Sequence, residues 1–160
     1  MKETIPLVHS RMTILVVTAL ALGLPACSSL TLEHVNYGWP VESPLTVSAA
    51  NTVEDVRYAL MFPVGGLALA EFGDSTALRG MTLRVIRNRE GFYFITGPGF
   101  KHVYVFTAGT GTLVQSSAID VSETGLVSPA LNLRPPYVEL IDGGSNSRML
   151  TSSDIVEGKK

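Results

Sequence analysis

Apolar residues follow two different patterns along this chain. Met12 to Leu24, MTILVVTALALGL, is one unbroken apolar run, whereas from Thr82 onward apolar residues come in short alternating clusters separated by glycine. The first pattern is too short to cross a bilayer, which takes roughly 20 consecutive apolar residues. Lys2 and Arg11 precede it. A cationic leader before an apolar run of this length predicts the helical h-region of a signal peptide rather than a membrane-spanning helix.

The second pattern predicts strands. TLRVIRN, GFYFIT, HVYVFTA and TLVQSSAIDVS are rich in β-branched and aromatic residues and are joined by REG, GPGFK and GTG, the short glycine-bearing links of antiparallel hairpins. A four-strand meander over about 82–122 follows. Alternation places Leu83, Val85, Phe92, Phe94, Val103 and Val105 on one face and Tyr93, Ile95, Tyr104 and Phe106 on the other, so both faces of the central hairpin call for a covering layer.

Upstream, alternation over Leu30 to Tyr37 predicts a first strand ended by Gly38 and Pro40, and LTVSA a second. NTVEDVRYALMFPV fits two descriptions: Thr52 and Asp55 make a capping box for a short helix, and Val56, Tyr58, Leu60 and Phe62 alternate as a strand does. The strand is preferred, because Pro63 and Gly65-Gly66 stop the run early. Downstream, SETGLVSPALNLRPP supplies a proline-rich turn, Tyr137 to Ile141 a last good strand, and the tail one edge strand before residues 157–160. The expected fold is mainly β, a small antiparallel β-sandwich or barrel occupying residues 32–156 as a single domain.

The single cysteine lies where the two regimes meet. Leu24-Pro25-Ala26-Cys27, followed by Ser28 and Ser29, resembles the lipobox of bacterial lipoprotein precursors. The resemblance covers the first 29 residues and implies a processing route. By that resemblance the Cys27 thiol would receive a diacylglyceryl group and the new amine an acyl chain, with Leu24 and Ala26 read by the processing machinery. The same route implies that residues 1–26 are removed and that residues 27–31 remain as a lipidated tether. Met12 is an alternative start that would lose Lys2 and Arg11. Serine after the cysteine, at Ser28, favours the outer membrane of the envelope; an aspartate there would favour the inner one.

Charge narrows the partners. Formal net charge is −2 and charged residues make up 16% of the chain, a balance without the basic excess that nucleic acid binding calls for, so no nucleic-acid partner is expected. One cysteine excludes a disulfide framework and any multi-cysteine metal site. His34 and His102 lie in no ligand-like spacing, TAGTGTL has no phosphate-loop pattern, and no metal or other cofactor is expected. Arg84, Arg87, Arg89 and Lys101, on strands expected to be adjacent, predict a positive patch near one sheet edge. Such a patch would serve an anionic lipid headgroup or an acidic partner, or would protect the edge from aggregation. Trp39, beside Tyr37, is either an exposed aromatic contact or a core residue.

One stretch has the look of an enzyme. Phe72-Gly73-Asp74-Ser75-Thr76 resembles the nucleophile motif of the GDSL hydrolases, which implies ester cleavage by Ser75. A serine needs a base, and in that family it comes from a C-terminal Asp-x-x-His. Here no histidine follows His102, and His102 has no aspartate three residues before it. EGFYFITGPGFKHVYVF resembles a hairpin of NHL-type propeller blades, although no repeat of it is present. The expectation is therefore a lipid-anchored, non-enzymatic binding module or accessory subunit of an envelope assembly. A GDSL-like hydrolase using Ser75 and a secreted soluble module are the alternatives.

Overall fold

The computed structural model describes residues 41–144 and 146–156. Leu24, Ala26, Cys27, Ser28, Trp39 and the strand expected over Leu30 to Tyr37 lie outside the described residues. The meander forms as its pattern predicts: β4 (Thr82–Arg87), β5 (Tyr93–Thr96), β6 (His102–Ala108) and β7 (Leu113–Asp120) pair antiparallel in sequence order. β1 (Ser43–Thr46) adds to the free side of β4, giving a five-stranded sheet ordered β1-β4-β5-β6-β7. This sheet ends at β1 and β7 and does not close on itself, so the architecture is a β-sandwich and not a barrel.

Both faces of the sheet are buried. On one, Ile86, Phe94, Val103, Val105 and Ile119 meet Leu131, Val138, Leu140 and Leu150 of a three-stranded antiparallel sheet. That sheet consists of β8 (Pro129–Arg134), β9 (Tyr137–Asp142) and β10 (Asn146–Leu150), in the order β10-β9-β8. On the other face, Leu83, Val85, Tyr93, Ile95 and Tyr104 pack with Val53, Phe62, Leu67, Ala68, Leu78 and Phe100. These come from the two-stranded hairpin β2 (Thr52–Asp55) and β3 (Leu60–Pro63), from helix α1 (Gly65–Phe72), and from the adjoining loops.

Three local outcomes differ from the alternation pattern. Leu83 and Val85 share a face with Tyr93 and Ile95, not with Phe94, because the register pairs Val85 with Ile95 and Ile86 with Phe94. Directly paired residues share a face, so a one-residue slip moves a whole strand's side chains to the other side. Residues 52–63 are a hairpin and not one strand: Asp55 folds the chain back by accepting the Arg57 amide (2.9 Å) and the Ser43 hydroxyl. Gly65-Gly66, expected only as a stop, begins α1, whose LALAE segment is made of good helix formers. Gly73, in the left-handed conformation (φ 73°), ends α1 by donating its amide to Leu69 O (3.0 Å).

Glu42 ties the two principal sheets together. It accepts from Arg84 Nη1 of β4 (2.9 Å) and from the Leu131 amide of β8 (2.7 Å), while Val41 bridges to Asn132. The described residues belong to one compact unit, Val35–Lys160.

Phe94 is fully buried between the two sheets. Phe94→Ala is expected to lower unfolding free energy by about 3–5 kcal/mol in chemical denaturation, the cost of lost transfer energy plus the cavity. A loss below about 1 kcal/mol would mean that the two sheets are not packed through this ring.

Candidate functional site

The most elaborate polar arrangement grows from the inward side of α1. Leu67 and Ala68 are buried, and Glu71 follows them at the i+4 and i+3 spacings that share one helix face. Its side chain is only 1% exposed. A carboxylate in such a place costs several kcal/mol unless its lone pairs are used. Here they are: Oε2 accepts from the Lys101 amide (2.9 Å), and Oε1 from the His102 amide (3.2 Å) and ring Nδ1 (2.7 Å). The Tyr104 hydroxyl lies close to the same carboxylate. Burial, followed by the negative charge of Glu71, pushes the Tyr104 hydroxyl pKa far above the ordinary tyrosine range, so it acts as a fixed donor.

The second ring nitrogen of His102 points out of the core. Nε2 lies 2.8 Å from Asp120 Oδ1, on a side chain that is 92% exposed. Register places these residues opposite each other on β6 and β7. With a carboxylate oxygen at each nitrogen, the ring donates to both only when both nitrogens carry a proton. The result is a graded series: a buried acid, a half-buried imidazole, then an acid at the surface.

That surface acid opens onto a cleft of about 720 Å³ lined by Lys101, His102, Asp120, Ser122, Glu123 and Arg148, with Val121 at its base. Its wall is a tightly folded loop. The amides of Val121 and Ser122 both donate to Lys101 O (2.9 and 3.1 Å), and Gly125 N donates to Ser122 Oγ (3.0 Å). Gly125 is required here. Its φ is 99°, and a Cβ would stand 2.7 Å from Gly99 O.

The four cations expected to form one patch are dispersed. Arg84 faces the three-stranded sheet and pairs with Glu42. Arg87, three positions on, lies on the opposite face over the Tyr93 ring (5.5 Å). Arg89 is exposed in the β4–β5 turn, and Lys101 lies in the β5–β6 turn at the other end of β5. Alternation along β4, together with the reversal between successive turns, separates them. Of this group only Lys101 reaches the cleft.

Ser75 sits exposed in the turn after α1. Asp74, beside it, accepts from the Thr76 amide (2.9 Å) and hydroxyl (3.0 Å), which holds its carboxyl below the usual range. Asn51 Nδ2 donates to Ser75 O. His102, the histidine among the described residues, has both ring nitrogens on Glu71 and Asp120. Among the described residues no three His, Cys, Asp or Glu side chains converge as a metal site would require.

Glu71 and Arg148 were not legible as site residues, and Asp120 and Glu123 read as solvated loop carboxylates. Glu71 emerges only once α1 is recognised as a helix, and Asp120 only once the β6–β7 register is known. No protein-family model matches this chain, and no curated protein or solved structure is significantly similar to it.

Two substitutions separate the buried from the exposed end of the series. Glu71→Ala strips an acceptor from two amides and a ring N–H and is expected to cost about 2–4 kcal/mol in urea unfolding. Asp120→Ala removes only an exposed partner and is expected to cost under about 1 kcal/mol. Equal costs would contradict the geometry described.

Proposed function

We propose that the protein is a lipid-anchored envelope protein whose β-sandwich acts as a non-enzymatic binding module or accessory subunit of a membrane-associated assembly. The observation that carries this reading is Leu24-Pro25-Ala26-Cys27 closing the apolar run Met12 to Leu24, with Lys2 and Arg11 before it. Acyl chains on Cys27 would hold the domain by hydrocarbon burial, at about 0.8 kcal/mol per methylene, and two or more chains suffice for a stable anchor. Ser28 favours the outer membrane. Anchoring confines the sandwich to a thin layer, which raises its effective concentration towards other membrane components.

One arrangement in the folded unit accords with a binding role. Among the described residues the imidazole is that of His102, whose ring nitrogens lie on Glu71 and Asp120, and this ring lines an open cleft with charged residues around it.

Intact-mass measurement of the protein extracted from its native membrane tests the anchor. The expected species begins at Cys27 and carries the added mass of a diacylglyceryl group and an N-acyl chain; Cys27→Ser is expected to abolish that mass and release the protein from membranes. A mature chain that begins elsewhere, or that bears a free thiol at Cys27, overturns the reading.

A further inference from the structure

The charges lining the cleft divide into a satisfied set and an unsatisfied one. His102 and Asp120 are paired with each other, and His102 is backed by Glu71. Lys101, Glu123 and Arg148 line the same cleft, and among the described residues none of their side chains has an ion pair or a hydrogen bond. They come from different layers. Lys101 and Glu123 stand on the β5–β6 and β7–β8 loops at one end of the five-stranded sheet, whereas Arg148 is carried by β10 of the facing sheet. Arg148 has the same strand parity as the buried Leu150, which places it, exposed, on the side of β10 that faces the five-stranded sheet and at the rim of the cleft.

Two exposed cations and one exposed acid lining one cleft without partners favour a ligand that carries both charges. A simple anion would gain Lys101 and Arg148 but would meet Glu123 and Asp120; a simple cation would gain the acids but would meet Lys101 and Arg148. Ser122 adds a neutral donor. Its oxygen already accepts the Gly125 amide, which leaves the hydroxyl proton to give. A cleft of about 720 Å³ is within the size range of small-molecule sites. One side of the cleft is anchored in the core, because Glu71 holds the ring of His102 and Asp120 Oδ1 lies 2.8 Å from its other nitrogen.

We infer that this cleft binds a zwitterion of the phosphoethanolamine type, its oxyanion between Lys101 and Arg148 and its protonated amine on Glu123. The inference rests on the binding-module reading and names the ligand class of that module. Two sources supply this chemistry, a phospholipid headgroup and a free small zwitterion.

The test is an amide-resolved NMR titration of the full-length, detergent-extracted protein with three probes: phosphoethanolamine, inorganic phosphate and ethanolamine. Phosphoethanolamine is expected to shift Lys101, Ser122, Glu123 and Arg148 saturably, and the two half-ligands to bind about tenfold more weakly or worse. Arg148→Ala is expected to weaken phosphoethanolamine about tenfold. Glu123→Gln is expected to erase the preference over phosphate. Unchanged resonances away from the cleft show that both variants remain folded.

Repeating the measurement in nanodiscs separates the sources. Cleft shifts that appear with phosphatidylethanolamine discs, but not phosphatidylglycerol discs, and without added ligand identify the headgroup. Shifts that need the free zwitterion in both identify a soluble ligand. No saturable shift with any probe, equal affinity for phosphate and phosphoethanolamine, or an unaffected Arg148→Ala variant overturns the inference. A chain that fails these tests but carries acylated Cys27 leaves the anchored-module reading standing; a chain that binds the zwitterion with a free Cys27 thiol does the reverse.

Discussion

β5 has no solvent face. Tyr93, Phe94, Ile95 and Thr96 are all buried, and their side chains alternate between two separate cores. A strand that is apolar on both sides must be covered on both sides, because each buried aromatic or aliphatic side chain contributes about 1.5–3 kcal/mol only when water is excluded from it. The three-stranded sheet closes one face, and the β2–β3 hairpin with α1 closes the other. The polar parts are arranged around this constraint: Thr96 Oγ1 donates to His102 O (3.0 Å), and Glu42 stitches β4 to β8 where the layers meet.

The cleft follows from the same layering. Covering the second face brings α1 over the β5–β6 turn, and the helix delivers Glu71 to the amides of Lys101 and His102, where the turn enters β6. Once there, Glu71 orients His102, and the β6–β7 register sets Asp120 across from it. Gly99 and Gly125 let the β5–β6 turn and the β7–β8 loop approach closely: Gly99 donates to Leu126 O at 2.7 Å, and Phe100 O accepts the Leu126 amide at 2.8 Å. The cleft is therefore a product of how two loops dock, and its charged lining is drawn from both sheets.

How much of this was legible depended on the range of the signal. The meander could be read because alternation and glycine turns act within a few residues of each strand, and the need to cover both faces of the central hairpin followed from Tyr93 to Ile95 being apolar throughout. β8 hid in a stretch read as a proline-rich turn, since Pro129 starts the strand and Pro135-Pro136 ends it, leaving only ALNLR between. Helix α1 was obscured by the glycine pair at its start. The four-cation patch failed because side-chain direction depends on register, which the turn geometry at Asn88 to Phe92 sets and the sequence pattern alone does not. Glu71 and Asp120 lie 49 positions apart and come to opposite nitrogens of His102 only through tertiary packing.

The central physical claim is that the five-stranded sheet is the shared wall of both cores and that the two covering layers depend on it. Native-state hydrogen exchange measures this most directly. The amides of Phe94 and Ile95 are expected to exchange only through global unfolding, with the same denaturant dependence as those of Val138 and Leu140 in β9. Exchange at β5 through a smaller opening, while β9 stays protected, would show that the layers unfold independently and would contradict the account.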